Sequence, residues 1–145
     1  MPQNYDKVDF AWTAGGDIVL GHSGDILDTS HDPLRSLHQE CVTRIKSEIK
    51  DWKSYPDLGA SISDFVGEPN NKLIAEAIKT RITAALTKHG FINSKDISIK
   101  YAPIDIDRIL FRITITVLAT AENRGSNYIK INTLYNYGEN NIFAR

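Results

Sequence analysis

The sequence predicts an α+β fold in which a small antiparallel sheet, made of an N-terminal hairpin and three C-terminal strands, is covered by two main helices. Two stretches in the middle of the 145-residue chain space their apolar residues as helices do, and the last third alternates apolar with polar residues as strands do. A Gly-Asp-Ile repeat near the start predicts the hairpin. The length is that of one domain, so we expect a single core within residues 15–145.

The start of the chain divides into an arm and a hairpin. Residues 1–14 are polar with a few aromatic side chains and no period, which favours an N-terminal arm. Residues 16–18 and 24–26 both read Gly-Asp-Ile and flank a Gly/Ser turn, as two short paired strands do. Repeated Gly and Asp also occur in calcium-binding loops, but the EF-hand spacing and its closing Glu are absent, so we expect no metal site.

The first helix is marked by Asp32, a capping residue, and by Pro33, which suits the first helical position because its missing N–H needs no partner there. We expect this helix to run from Pro33 to about Trp52. Its predicted buried face consists of Leu34, Leu37, Cys41, Val42, Ile45, Ile49 and Trp52, and its predicted solvent face of Arg35, Glu40, Arg44, Lys46 and Lys50.

A proline separates the two helices, since the residue before Pro56 avoids helical dihedral angles. A short helical turn is expected around residues 58–65. Asn70 or Asn71 can then cap a second helix from Lys72 to about His89, which Gly90 ends. The predicted buried stripe of this helix is Leu73, Ile74, Ala77, Ile78, Ile82, Ala85 and Leu86.

The last third of the chain predicts three strands. Residues 97–101, 109–118 and 128–137 alternate apolar and polar side chains, residues 103–107 suit a hairpin connection, and residues 121–127 form a polar loop. We expect the strand of residues 128–137 to be the last one and to lie at an edge of the sheet. An edge strand presents unpaired N–H and C=O groups, which proteins usually protect with charge or proline.

That predicted edge is poorly protected, because Lys130 is its one charged residue and it lacks proline. It is therefore suited to exchanging a strand with a neighbouring subunit. The alternative, equally compatible with the sequence, is an edge closed by the N-terminal arm. The candidate partner-binding residues on this strand are Tyr128, Ile129, Lys130, Ile131, Asn132, Thr133, Leu134 and Tyr135.

Composition argues against several classes of function. Seventeen Lys and Arg residues balance eighteen Asp and Glu residues, which does not favour a nucleic-acid or anionic-membrane partner. No apolar run approaches the roughly 18 residues of a membrane span, so we expect a soluble protein. A single cysteine, Cys41, cannot form an internal disulfide and falls on the apolar face of the first helix.

The sequence also offers little for catalysis. Glycoside cleavage needs two acids held about 5–10 Å apart with one in an apolar setting, and Glu68 is the acid that stands beside apolar residues. Its position before a helix favours a charge that interacts with the helix N-terminus instead. The four histidines share no metal-ligand spacing, and nucleophile-elbow or phosphate-binding glycine motifs are absent. We therefore expect no catalytic residues, no metal and no cofactor.

Several motifs follow one another in a recognisable order. They are Gly16-Asp17-Ile18, then Gly24-Asp25-Ile26-Leu27, then a helix with Leu37, Cys41, Val42, Arg44 and Ile45, then Tyr55-Pro56-Asp57-Leu58-Gly59, and finally Phe65-x-Gly67-Glu68-Pro69-Asn70. This order resembles the baseplate wedge family of contractile phages, which is often labelled lysozyme-like and has relatives in type VI secretion and tail-like bacteriocins. The resemblance covers residues 16–117.

The resemblance implies a structural protein of the virion tail baseplate, assembled in the host cytoplasm. The implied partners are larger baseplate wedge proteins, the tail sheath protein and, beyond these, tail tube or hub proteins, with no nucleic acid, membrane or small-molecule substrate. Gly67, Glu68 and Pro69 match a recurring family segment and are candidate partner-binding residues. The family's Glu-Pro-Arg motif after the long helix is absent, because Gly90-Phe91-Ile92 stand there, so the contact made by that motif does not transfer.

Three hypotheses follow. The first is a wedge protein that initiates the sheath by β-strand addition, for which truncation before Asn127 is expected to leave a folded domain that joins wedge proteins but does not support sheath. The second is a peptidoglycan-cleaving enzyme with Glu68 as its acid. The third places the same fold in a type VI secretion system or a tail-like bacteriocin.

Overall fold

The predicted α+β class is confirmed by the computed structural model, which describes residues 8–117, 127–136 and 141–144. Two helices, α1 (Pro33–Lys46) and α2 (Lys72–Thr87), precede four strands, β1 (Ile97–Pro103), β2 (Arg108–Val117), β3 (Asn127–Asn136) and β4 (Asn141–Ala144). Short 3₁₀ turns lie at Ile62–Phe65, Lys88–Gly90 and Ser94–Asp96. The strands form one antiparallel sheet in the order β1-β2-β3-β4.

The core lies between one face of this sheet and the two helices. In β2 and β3 the described odd-numbered side chains point to the helices and are buried, while the even-numbered side chains point away from them. β1 follows the same alternation, with Ile99 buried and Ile97 and Tyr101 half-buried. The strand residues of the core are Ile99, Ile109, Phe111, Ile113, Ile115, Val117, Ile129, Ile131 and Tyr135, and they pack against Leu37, Cys41, Ile45, Ala75, Ile78, Ile82, Ala85 and Leu86 of the helices. The alternation that predicted β1, β2 and β3 is thus the pattern of a sheet covered on one face.

Helix α1 begins as predicted, with the Asp32 side chain accepting a hydrogen bond from the Arg35 N–H, but it ends at Lys46 rather than near Trp52. Ser47 leaves the helical conformation because its carbonyl accepts hydrogen bonds from Ala60 and Ser61. Ile49 and Trp52, predicted to be buried on α1, are consequently exposed on the connection that follows.

Gly59 makes that early end of α1 possible. Its φ is 137°, and a Cβ built on it would lie 2.6 Å from the carbonyl oxygen of Ser47. A side chain at position 59 would collide with the Ser47 backbone. The close contact between these two backbone segments therefore requires the glycine that ends the Tyr55-Pro56-Asp57-Leu58-Gly59 motif. The motif fixes how the chain turns back beneath the end of α1.

Arg44 was predicted on the solvent face of α1, but it is 8% exposed. Its guanidinium donates to the carbonyl oxygens of Ala85 (3.3 Å) and Lys88 (3.1 Å) and to the Glu40 carboxylate, at 2.8 and 3.1 Å. It also stacks 3.9 Å from the centre of the Phe91 ring. Carbonyl groups at a helix C-terminus have no partner within the helix, so Arg44 caps α2 and ties the two helices together.

Helix α2 is capped by Asn71, whose side chain accepts from the Ile74 N–H, as predicted. Its buried residues are Ala75, Ile78, Ile82, Ala85 and Leu86. Leu73 was predicted among them but is 77% exposed. It lies on the solvent side of the first turn, whose core residue is Ala75. The helix ends at Thr87, and the chain turns through His89 and Gly90, both with positive φ.

The predicted N-terminal hairpin is not confirmed. Residues 9–13 enter beside the two Gly-Asp-Ile segments, and the three stretches make isolated bridges that do not join the main sheet. Ala11, Val19 and Leu27 form a closed ring of backbone hydrogen bonds, because each N–H donates to the next carbonyl at 2.9 Å. We name this unit of three bridged segments the N-terminal triangle. Gln39 attaches it to α1 by accepting from Trp12 N–H and donating to Phe10 O.

Candidate partner-binding edge

Backbone hydrogen bonds show which groups of β3 face the sheet and which face its edge. The Ile104 N–H donates to the Arg108 carbonyl at 2.9 Å, which makes these residues a hydrogen-bonded pair at the β1–β2 connection. Hydrogen-bonded and non-hydrogen-bonded pairs alternate along antiparallel strands. The unbroken registers then direct the odd-numbered N–H and C=O groups of β3 to β2, and the even-numbered groups to the opposite side.

The strand expected to be last is followed by another, which corrects the expected three C-terminal strands to four. Strand β4 pairs with β3 through Thr133↔Ala144, Leu134↔Phe143, Tyr135↔Ile142 and Asn136↔Asn141. The second half of β3 is therefore an interior strand segment. The candidates Thr133, Leu134 and Tyr135 lie in this covered half, so their backbone is not available to a partner.

The first half of β3 keeps an open side in the part of the chain that the structure describes. Residues 127–132 pair with β2, and none of the described strands lies on their other side. By the alternation, Tyr128, Lys130 and Asn132 direct their N–H and C=O groups outward there. We name residues 127–132 the open segment. Ile129 and Ile131 within it are buried in the core, whereas Tyr128 is 57% exposed.

The opposite edge of the sheet, β1, differs from the open segment. Its outward-facing backbone groups belong to the odd-numbered residues, and Pro103, which has no N–H, occupies one of those positions. Proline at such a position is a common protection of edge strands. The outward positions of the open segment carry no proline, so it is the less protected of the two edges.

The arm was the alternative partner for this edge. The structure describes residues 8–14 of the arm, and the backbone of residues 9–13 hydrogen-bonds to residues 17–29 in the N-terminal triangle and to Gln39, not to β3. Residues 1–7 lie outside the described residues, as does Tyr137 of the predicted strand. The described part of the arm is therefore committed elsewhere in the fold.

Gly67, Glu68 and Pro69 form an exposed turn ahead of α2. The Asn70 side chain that follows donates to the carbonyl of Asp105 at 2.8 Å, which holds the turn beside the β1–β2 connection. That connection leads into Arg108, the start of β2, whereas the open segment pairs with the other end of β2. At about 3.3 Å per residue the two candidate regions are roughly 20 Å apart along the strand, so the fold does not bring them together.

The acid, the thiol and the imidazole with catalytic chemistry lie in three different environments. Glu68 is exposed, without the apolar surroundings of a glycosidase acid. Cys41 is fully buried, and burial raises the pKa of its thiol far above the ordinary range, which keeps it protonated and unreactive. His89 and Asp57, 3.1 Å apart, form an exposed pair at the end of α2. Within the described residues, no cluster of His, Cys, Asp or Glu could hold a metal.

A groove between the N-terminal triangle and α1 was not anticipated from the sequence. It has a volume of about 550 Å³ and is lined by residues that include Trp12, Trp52, Arg35, His38 and Lys46. Burial lowers the pKa of His38, since the charged imidazolium is disfavoured in this half-buried position. The groove lies on the helix side of the sheet, distinct from the open segment.

Comparisons with known proteins add no identity to this geometry: no family model, no curated protein and no solved structure matches the chain. Among the described residues, neither helix has the length and apolar character needed to cross a membrane. The open segment and the turn of residues 67–69 are the features on which a functional proposal can be built.

Proposed function

We propose that this chain is a structural baseplate wedge protein of a contractile phage tail, which binds larger wedge proteins and initiates sheath assembly by accepting a partner's β-strand at the open segment. The order of sequence motifs supports the family, and the α+β fold with one sheet face covered by two helices is compatible with it. The single observation that carries the mechanism is the row of outward backbone groups at Tyr128, Lys130 and Asn132.

The chemistry of the open segment favours a polypeptide strand as its ligand. Three N–H groups and three C=O groups face outward there, and each hydrogen bond they gain contributes about 0.5–1.5 kcal/mol net. A strand placed beside residues 127–132 would lie in line with β4 and extend the sheet. Its inward side chains would continue the apolar layer that Ile129 and Ile131 begin.

The distance between the two candidate regions supports two separate contacts. The turn of Gly67, Glu68 and Pro69 stands near the start of β2, and the open segment lies beside its end. A wedge protein bound at the turn would leave the open segment free for sheath. We therefore assign the turn to the wedge contact and the open segment to the sheath contact.

The expectation that truncation before Asn127 leaves a folded domain is not compatible with the packing. Ile129, Ile131 and Tyr135 are core residues, and their removal would expose the helices. A single substitution tests the mechanism instead. Lys130→Pro removes one outward N–H while the β2–β3 hydrogen bonds stay, and Lys130→Ala removes the same side chain but keeps the N–H.

Both variants are expected to fold and to bind wedge proteins, and Lys130→Pro alone is expected to fail in nucleating sheath. The readout is sheath polymerisation followed by light scattering and electron microscopy, with melting curves as the check on folding. Equal nucleation by folded Lys130→Pro and Lys130→Ala protein would sink the strand-addition mechanism.

The neighbouring genes test the family assignment, and they also supply the partners for these assays. Sheath, tube and spike genes beside this one are expected, in a virion, secretion or bacteriocin cluster whose other genes identify the machine. A neighbourhood without them would contradict the proposal. For the enzymatic alternative, clearing of peptidoglycan by the purified chain that is lost in Glu68→Gln would replace the structural role with hydrolysis.

A further inference from the structure

The face of the sheet that points away from the helices carries three cations in close register. Lys100 on β1, Arg112 on β2 and Lys130 on β3 are all exposed on that face. Lys100 lies directly opposite Arg112, and Lys130 lies opposite Thr114, one diagonal step from Arg112. Directly opposed side chains have Cβ atoms about 5 Å apart, and diagonal ones about 7–8 Å. We name these three residues the cationic triad.

No carboxylate neutralises the cationic triad in the part of the chain that the structure describes. The even-numbered positions of β1, β2 and β3, which form this face, hold no Asp or Glu. None of the ion pairs of the described residues involves the cationic triad, and Arg108, a further cation on this face, is paired with Asp105. Arg112 is held in place by a neutral group, since its Nε donates to the Asn132 amide oxygen at 3.3 Å.

This arrangement costs the isolated chain stability. Like charges directly opposite on neighbouring strands are destabilising, and Lys100 and Arg112 occupy such a pair. The overall charge of the protein is −1, so the cations are not part of a generally basic surface. Local charge without internal compensation is complementary to an acidic ligand.

We propose that the cationic triad is a docking surface for an acidic segment of a partner polypeptide, one that presents two or three carboxylates within about 10 Å of one another. The apolar Leu110 and Leu134, half-buried and facing each other beside the triad, favour a polypeptide with apolar side chains next to its acids. Nucleic acid is disfavoured, because single strands stack their bases on exposed aromatic rings and the even-numbered positions of β1, β2 and β3 hold a single aromatic residue, Tyr128. The proposed binding uses side chains of the sheet face, so it does not depend on whether the backbone of the open segment accepts a strand.

The test uses a labelled hexaglutamate peptide titrated into the ¹⁵N-labelled full chain at low salt. The amide resonances around Lys100, Arg112 and Lys130 are expected to shift. Lys100→Gln is expected to lower the affinity for the peptide about fivefold. By relieving the repulsion from Arg112, it should also raise the melting temperature by roughly 1–3 °C. The same substitution at Lys53, an exposed lysine on the connection after α1, should change neither quantity.

A higher melting temperature together with a lower peptide affinity in Lys100→Gln supports the proposal. A surface lysine with no role in binding would not change both quantities when it is replaced. Resonance shifts confined to other surfaces, or equal affinity of Lys100→Gln and the unmodified chain, would overturn it. An oligonucleotide of the same charge number that binds this face more tightly than the peptide would also overturn it, in favour of a nucleic-acid ligand.

Discussion

Replacement of Arg44 by methionine tests how the two helices are held together. Methionine keeps much of the side-chain volume but removes the guanidinium that donates to the Ala85 and Lys88 carbonyls and that pairs with Glu40. The Lys88 carbonyl keeps a second donor, the Phe91 N–H at 3.2 Å. Hydrogen bonds that involve a charged group contribute about 1.5–3 kcal/mol, and stacking on Phe91 adds about 0.5–1 kcal/mol. The Glu40 carboxylate is partly solvated, so the loss of its ion pair with Arg44 adds little to the destabilisation. The free energy of unfolding should therefore fall by about 2–4 kcal/mol.

Urea and thermal melts followed by circular dichroism measure this effect, with the melting temperature expected to drop by roughly 5–15 °C for a domain of this size. Arg35→Met on the same helix is the control, because no ion pair or side-chain hydrogen bond of Arg35 occurs among the described residues, and it should change stability by less than about 0.5 kcal/mol. Arg44→Lys keeps the charge but loses the planar fork and should restore less than half of the loss. A loss below about 1 kcal/mol in Arg44→Met would refute the capping role.

The remaining predictions concern single positions. Gly59→Ala should destabilise the fold by more than about 2 kcal/mol because its Cβ meets backbone, whereas Gly67→Ala, with positive φ but open space around it, should cost only about 1 kcal/mol; chemical denaturation compares the two. Thr133→Val removes a buried hydroxyl without a hydrogen-bond partner and should stabilise by about 1 kcal/mol, unlike Thr116→Val at an exposed site; a decrease would mean that the hydroxyl is satisfied. Burial lowers the pKa of His38 below its ordinary value of 6.5, so the unfolded chain binds more protons, and stability should fall as the pH drops below about 6.5. Urea melts across that range should show a smaller fall for His38→Gln, and an equal fall would assign the dependence to other groups.

The parts of the fold that local patterns specify were predictable. Capping chemistry at Asp32 and Asn71 marked the starts of both helices, and alternation of apolar with mostly polar residues marked β1, β2 and β3. These features depend on neighbours in the sequence, so the sequence alone carries them. The helix face of Arg44 was assigned wrongly because its partners, the C-terminal carbonyls of α2, are distant in the chain.

Long-range backbone pairing explains the other differences. The end of α1 depends on Ser47 meeting Ala60, and the N-terminal triangle depends on residues 9–13 meeting both Gly-Asp-Ile segments. Strand β4 has only a weak signal in the sequence, an apolar Ile142-Phe143 pair after Gly138, because its four residues are short even for a strand. Because β4 covers residues 133–136, the open edge of β3 is shorter than predicted. The sequence predicted which strand carries the candidate site, but only the β3–β4 pairing shows where the open segment ends.

Residue-resolved hydrogen exchange of the amides in β3, measured on the chain alone and then with sheath protein, tests strand addition most directly. In the isolated chain, the amides of Tyr128, Lys130 and Asn132 should exchange rapidly, while those of Ile129 and Ile131, bonded to β2, should be protected. Binding of sheath should then protect the three even-numbered amides as well. Even-numbered amides that are already protected in the isolated chain, or that still exchange rapidly in the complex, would contradict the account.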